Sequence, residues 1–570
     1  MDFLPTTLEE GKTYYGADLE QFEVIFITGD PYYDHPLSGV ALLSRLLDAK
    51  GYKVGIVAQP ETEVEFQACG KPKYFFCITS GLLDSALANY TPMLRKREGV
   101  IVPERALMVY TQKVKNLFPG SITVLGGVEA TIRRFTHFDY LDNKLRRGIL
   151  NDTKADMVLF GNAERSLLEM VEKLKQGKEL WFEELKDVEG AAFRIKKNEM
   201  DATITLLPSY EECVTDKKNF ALLTKRTHYW PDNAFIEPCG AGFIQHNRPA
   251  HTLHEEEVDI IYSLPFIRKI HPRSKNLAFN ERMIAGLKNS VILGRGCWGS
   301  CSFCIIPLVQ GKEVAQRSSK SILKEIEMLY ASGETKINDL TLPTLNMYGS
   351  KCALYDEQEK IYSPIIDHEI TVYNKTKFCN QQCVGCQFRV ISDDLYPLLE
   401  GIEKLNQKYN GLLELRSAVR HDIILHQKKL FRKIMEFVTR LKIAPEHISE
   451  AVLKQMNKGK KEEFIAFLKE YELVNKEQGT KKNLVPYFIA AHPGSTLEEM
   501  EKLKKFCVDQ NLFVNLTQVF TPTPGTLSTA IYYLEENPLT GEKVYVPRTF
   551  REKKDQKNIL LEEEWEDENG

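Results

Sequence analysis

An α/β architecture in two parts is predicted: a doubly wound parallel sheet followed by a partial parallel barrel. Three observations lead there. Through the first 195 residues, short apolar runs such as FEVIFIT (22–28) alternate with amphipathic stretches of helical period. The same alternation restarts near residue 286 and supplies six further apolar runs. The 570 residues also exceed what one hydrophobic core spans.

In the first part, residues 1–195, FEVIFIT reads as a buried parallel strand. SGVALLSRLLDAKGYKV follows as a helix with Val40, Leu43, Leu46 and Leu47 on one face and Gly51 as its stop. Lys53–Val57, KYFFCIT (73–79), SITVLGG (121–127) and ADMVLFGNAE (155–164) repeat the strand pattern with helical stretches between. Such a βαβ series makes a Rossmann-like sheet, with Gly126, Gly127 and Gly161 at the strand C-terminal ends where ligands bind. Residues 196–285 read as a connector wrapping the next domain.

The second domain spans 286–535. Its candidate strands are SVILG (290–294), KINDLTL (336–342), LLELRSA (412–418), RLKIA (440–444), LVPYFIA (484–490) and NLTQVF (515–520). Helical segments separate them, the first capped by Ser318 or Ser319 and buried along Ile322, Ile326 and Leu329. Six strands with intervening helices make a partial (β/α)6 barrel of TIM type, whose chemistry belongs at the strand C-terminal ends. A cysteine-bearing insertion covers 345–395. The tail, 536–570, ends in REKKDQKNILLEEEWEDENG and reads as a solvated or frayed end.

A formal charge of −4 gives no global basic excess for non-specific nucleic-acid binding, and RNA stays open as a substrate or partner. The N-terminus lacks a secretory pattern, and no long apolar run marks a membrane span. A cytoplasmic location is expected, where twelve cysteines are not a disulfide framework. Cys69, Cys77, Cys213, Cys239 and Cys507 stand alone and read as small core residues.

The other seven are grouped. GRGCWGSCSFCIIP (294–307) places Cys297, Cys301 and Cys304 at spacings of four and three, directly after a buried strand. Thiolates are soft donors that select iron–sulfur clusters, zinc or copper(I). Gly294, Gly296 and Gly299 let the backbone approach closely, and Phe303 can shield a cluster. Three ligands for a four-iron cluster leave one iron open, whereas structural sites are closed. The competing reading is a zinc knuckle completed by a distant fourth residue.

CxxxCxxC after a strand, with an aromatic before the last cysteine, resembles the radical S-adenosylmethionine (SAM) superfamily. GDPYYDHPLSGVALLSRLLDAKGYKVGIVAQP (29–60), LKIAPEH (441–447), VPYFIAAHPGSTLEEM (485–500) and QVFTPTPGTLSTAIYY (518–533) together resemble the YgiQ-type radical SAM family over nearly the whole chain. The resemblance implies a 4Fe-4S cluster on Cys297, Cys301 and Cys304 with SAM on its open iron. It implies reductive cleavage of SAM to methionine and a 5′-deoxyadenosyl radical, which takes hydrogen from an unidentified substrate. An electron donor such as flavodoxin or ferredoxin is then the expected partner.

By strand-end position, SAM is expected against Pro343, Thr344 and Asn346, with Ser417, Arg420, Glu446, His447 and His492-Pro493-Gly494 completing the site. One departure stands out. Where the superfamily commonly has a glycine pair and an acidic residue after the second strand, this chain has Thr341-Leu342.

Cys379, Cys383 and Cys386 repeat the first spacing, with Cys352 upstream. Four such cysteines suit a second cluster or zinc. The N-terminal sheet is similar in layout to cobalamin-binding domains. Cobalamin is nonetheless not expected, because the cobalt-ligand pattern Asp-x-His-x-x-Gly is broken: Asp34 and His35 are adjacent, and Gly39 lies four residues beyond His35. Two alternatives remain, a non-enzymatic metal-binding scaffold and a cobalamin-dependent radical SAM methyltransferase.

Overall fold

The computed structural model describes residues 2–179, 182–229, 233–375, 379, 382–514 and 516–561. The chain divides into two units. The first holds residues 1–288 with 308–311 and 356–374; the second holds 289–307, 312–355 and 375–570.

In the first unit the predicted strands form β1 (Val24–Thr28), β2 (Val54–Ala58), β3 (Phe75–Thr79), β4 (Ile122–Leu125) and β5 (Met157–Leu159). They lie in the order β2-β1-β3-β4-β5, all parallel. This is the doubly wound arrangement, with its topological switch between β1 and β3. Every residue of β1 is buried, which is why that run is continuously apolar.

Residues 196–285 are not a wrapping connector. β6 (Ala191–Ile195) turns antiparallel onto β5, and β7 (Thr205–Leu206), β8 (Phe235–Cys239) and β9 (Gly242–His246) extend the same sheet to nine strands. Their alternation was diluted in the sequence by prolines, histidines and charges at the flanks.

Helix α1 (Gly39–Ala49) is capped by the Ser38 hydroxyl, which accepts the Ala41 N–H at 3.4 Å, and Gly51 follows at φ +83°. Its buried face is rotated from the expected one. Ala41, Leu42, Ser44, Arg45, Leu46 and Leu47 are inside, while Val40 and Leu43 are half-buried. The cause is electrostatic: Arg45 is drawn inside to pair with buried Asp34, at 2.5 Å.

A second buried pair anchors the strand-end loops. Arg133 bonds Asp84 through Nε and Nη2, and Asp139 through Nη1. Burial works to raise the Asp84 carboxyl, but the Arg133 guanidinium overrides it and holds the group below the usual carboxylate range. Arg133→Met is expected to leave Asp84 buried without its cation and to cost about 3–5 kcal/mol. Urea unfolding measures this; a loss under about 1 kcal/mol would contradict it, being what an exposed pair contributes.

The second unit carries β10 (Ser290–Ile292), β11 (Lys336–Ile337), β12 (Asp339–Thr341), β13 (Leu412–Leu413), β14 (Arg440–Glu446), β15 (Asn483–Ala490) and β16 (Leu516–Val519). β10 pairs in parallel with β12, and β11 with β13. A parallel bridge joins Val419 to Ile443, and β14, β15 and β16 form a parallel ladder. The six predicted strand stretches are thus linked in sequence order, but as interrupted ladders, the second stretch breaking at Asn338. Helix α2 (Ser319–Ala331) is capped by Ser318 and buries Ile322, Ile326 and Tyr330, with Leu329 packed at the core margin. Together with the strands it encloses Val291, Leu340, Leu415, Ile443 and Phe488 in one apolar core.

The end of the chain is only partly a solvated tail. Phe550–Leu561 is a helix whose Gln556 is fully buried. Its Oε1 accepts the Ala491 N–H at 2.8 Å and the Ser495 hydroxyl at 2.9 Å. Residues 562–570 lie outside the described residues. Among those described, no helix is long and apolar enough to cross a membrane.

Candidate metal centre

The cysteine loop begins where Gly294–Arg295 pairs antiparallel with Ala315–Gln316. Only glycine fits at 294: a Cβ there would stand 2.4 Å from the Ala315 carbonyl oxygen. The far end of the loop is clamped by backbone. The Ser302 N–H donates to Met456 O at 2.9 Å, and Ser528 N–H donates to Ser302 O at 2.9 Å. Asn457 Nδ2 donates to Ser300 O at 2.8 Å.

These contacts bring the three thiols within electrostatic reach of one another. Burial pushes the Cys297 thiol up, and the charge of Cys301 adds to it. Burial pushes Cys304 up to about 12, with Cys301 and Cys297 contributing. A cation counters this crowding of negative charge. Arg420 Nη1 stands 3.5 Å from Cys301 Sγ, and its Nε donates to Asp422 Oδ1 at 3.0 Å. Burial works against the Arg420 charge, but Asp422, and then Cys301 and Cys297, hold it above the ordinary guanidinium range.

The donor set fits a thiolate-ligated metal group. A Cβ at Gly299 would fall 2.7 Å from Arg420 Nη1 and 3.3 Å from Cys297 Sγ, so the loop keeps a cradle open there. Among the described residues, no group of three or more His, Cys, Asp or Glu side chains is arranged to hold a metal ion.

The predicted strand-end residues divide into two kinds. Thr344 borders the thiols, with its hydroxyl 3.7 Å from Cys297 Sγ, and Arg420 touches Cys301. Asn346, Ser417 and His492 are instead consumed by the scaffold. Asn346 is fully buried and its Oδ1 accepts the Arg420 N–H at 2.9 Å, while its Nδ2 donates to Gln427 Oε1 at 3.0 Å. The Ser417 hydroxyl donates to Asp339 Oδ2 at 2.7 Å. His492 has Nε2 2.7 Å from Ser528 Oγ and Nδ1 2.8 Å from Pro493 O, and burial drops its pKa to about 3. Phe303 lies edge-on to the His492 ring, with centroids 6.1 Å apart.

Glu446 sits at a bulge in β14 with φ +67°, a conformation that strains a non-glycine residue. It is buried and pushed up by that burial, with Lys458 Nζ 3.5 Å away. His447 accepts the Ser449 N–H on Nδ1 at 3.0 Å, while its buried Nε2 has no partner among the described residues. Asp422, Asp339, Gln427, Ser528 and Met347, which lies 3.7 Å from Cys297 Sγ, escaped the sequence reading. All but Asp422, which pairs with nearby Arg420, act through a partner distant in sequence.

In the first unit, His35 is buried and stacked on Tyr33, with ring centroids 4.6 Å apart. Its Nε2 lies 3.1 Å from both Lys288 O and Arg268 Nη1, and its Nδ1 accepts the Leu37 N–H at 3.1 Å. The lone cysteines Cys69, Cys77, Cys213 and Cys507 are buried, and burial pushes each thiol up. That is the behaviour of inert core residues.

Residues 3–285 match a family model described as "Radical SAM N-terminal". A UPF0313 protein of Methanocaldococcus jannaschii is 37% identical, with 99% of this chain and 93% of the relative covered. A UPF0313 protein of Thermotoga neapolitana is 36% identical, with 98% of each covered. Among solved structures, the radical SAM methyltransferase TsrM from Kitasatospora setae, with cobalamin and a 4Fe-4S cluster bound, shares the fold. Its TM-score is 0.52 at 12% identity, over 90% of this chain and 74% of that one.

Proposed function

The chain belongs to the UPF0313, or YgiQ-type, radical SAM family, and from that premise we propose that it is an enzyme that cleaves SAM reductively at Cys297, Cys301 and Cys304. When bound, a 4Fe-4S cluster supplies one electron to SAM, which yields methionine and a 5′-deoxyadenosyl radical able to take hydrogen from a substrate. The observation that carries the reading is that the half-buried Cys297, Cys301 and Cys304 share one loop held open at Gly299, with Arg420 Nη1 3.5 Å from the Cys301 sulfur.

The chain's own residues have definable tasks in it. Cys297, Cys301 and Cys304 hold the cluster. Arg420, fixed by Asp422, donates toward the Cys301 sulfur and offsets its charge. Thr344 borders Cys297 and is the strand-end residue placed to meet SAM. Asn346 joins the loop after β12 to the loop that carries Arg420, so it is a positioning residue. Trp298, buried beside Cys297, keeps water from the loop.

Anaerobic reconstitution with iron and sulfide, followed by dithionite and SAM, tests the proposal. The expected result is a reducible cluster and 5′-deoxyadenosine. A colourless protein that retains zinc and forms no deoxyadenosine would establish the scaffold alternative instead.

A second reading, cobalamin-dependent methyl transfer, draws on the fold likeness to TsrM, which is described with cobalamin bound. His35 lends it no support, because both ring nitrogens already face partners. Incubation with hydroxocobalamin, then gel filtration and visible spectroscopy, separates the two readings.

A further inference from the structure

The second cysteine group stands apart from the proposed SAM-cleaving centre. An antiparallel pairing sets Cys352 directly across from Arg389. Cys383 and Cys386 form a tight turn just before it, closed by the Cys386 N–H on Cys383 O at 3.2 Å and the Arg389 N–H on Cys386 O at 3.0 Å. Two residues far apart in sequence, Cys352 and Cys383, are thereby joined through Arg389, which pairs with Cys352 by backbone and reaches the Cys383 sulfur with its side chain. The Leu354 N–H points at Cys352 Sγ at 3.5 Å, the kind of backbone donor that supports a metal-bound thiolate.

Arg389 supplies an independent observation. Its Nη2 stands 3.1 Å from Cys383 Sγ, and Glu313 accepts from both terminal nitrogens, at 2.7 and 2.9 Å. The guanidinium lies over the Trp298 ring at 4.9 Å. Its side chain is only 3% exposed, yet its Nε–H has no partner among the described residues. A buried cation with a donor left over, set against thiols, is matched by additional negative charge in the same place.

We propose that Cys352, Cys379, Cys383 and Cys386 bind a second iron–sulfur cluster of the 4Fe-4S class, closed by four thiolates and bordered by Arg389. A cluster is preferred to zinc because Cys379, Cys383 and Cys386 repeat the spacing of Cys297, Cys301 and Cys304, and because a cationic donor stands against the Cys383 sulfur. Arg389 also connects this site to the first, because Trp298 lies between Cys297 and Cys301 in the catalytic loop. The inference stands whether or not the first centre cleaves SAM.

The test compares three proteins, reconstituted anaerobically and analysed for iron, sulfide and zinc with Mössbauer and EPR spectra. They are the wild type, a C297A/C301A/C304A variant and a C352A/C379A/C383A/C386A variant. The wild type is expected to hold two four-iron clusters, and each variant roughly half that iron. In the C297A/C301A/C304A protein, the remaining EPR signal is expected to be unmoved by SAM, since a four-thiolate cluster has no open iron. Wild-type protein with one cluster whose EPR signal shifts on adding SAM overturns the proposal even if a variant fails to fold, since that cluster has an open iron. So does a C297A/C301A/C304A protein that carries zinc or no metal. Loss of deoxyadenosine formation with both clusters intact would count against the SAM reading alone.

Discussion

Alanine in place of Cys297, Cys301 or Cys304, singly, is expected to reduce deoxyadenosine formation to background. The loop offers three sulfurs and no spare. Met347 lies 3.7 Å from Cys297, but a thioether is a far poorer iron ligand than a thiolate. Removing one sulfur therefore leaves two ligands on the cubane, too few to retain it. The measurement is paired: iron bound after desalting, and deoxyadenosine formed per protein with dithionite and SAM. Each variant should lose both. The fold should survive, because the loop is held by backbone bonds at Ser302 and by Asn457, which the substitutions leave in place. Any one variant that retains wild-type deoxyadenosine formation removes that cysteine from the site.

Arg420→Ala is expected to have two effects from one cause. Asp422 is buried, and burial alone would raise its pKa; the Arg420 guanidinium reverses this and holds it well below the usual range. Without Arg420 the carboxylate is left buried and uncompensated, at a cost of about 3–5 kcal/mol. The same change strips the Cys301 sulfur of its cationic donor. Less hydrogen bonding and less positive charge at a cluster sulfur favour the oxidised form, so the midpoint potential of the reconstituted protein should fall. Arg420→Lys keeps the charge but loses the planar fork that reaches Asp422 and Cys301 together, so it should restore part of the stability and less of the potential. Urea unfolding and a spectroelectrochemical titration read the two effects separately. An unchanged potential in Arg420→Ala would place Arg420 in the scaffold alone.

The cysteine spacing, the strand before it and the βαβ rhythm were legible because each is a local pattern. Backbone periodicity is set by near neighbours, so five parallel strands could be read directly, and the spacing of Cys297, Cys301 and Cys304 is equally local. Helix α1 shows where that logic stops. Its apolar period pointed to Val40 and Leu43, but the Asp34–Arg45 pair turned the helix. A charge buried beside its counter-ion is indistinguishable, in sequence, from a solvated one.

By itself, then, the sequence determined the α/β class and the family. Only the tertiary structure decided which strand-end residues face the thiols and which serve the scaffold. Thr344 and Arg420 border sulfur, whereas Asn346, Ser417 and His492 spend their polar atoms on Arg420 and Gln427, Asp339, and Ser528. It also brought three late strands into the first sheet and Gln556 into the second unit's core. The physical reason is common to all of these. A polar side chain's role is fixed by the partner that desolvates with it, and that partner stands tens to hundreds of residues away along the chain.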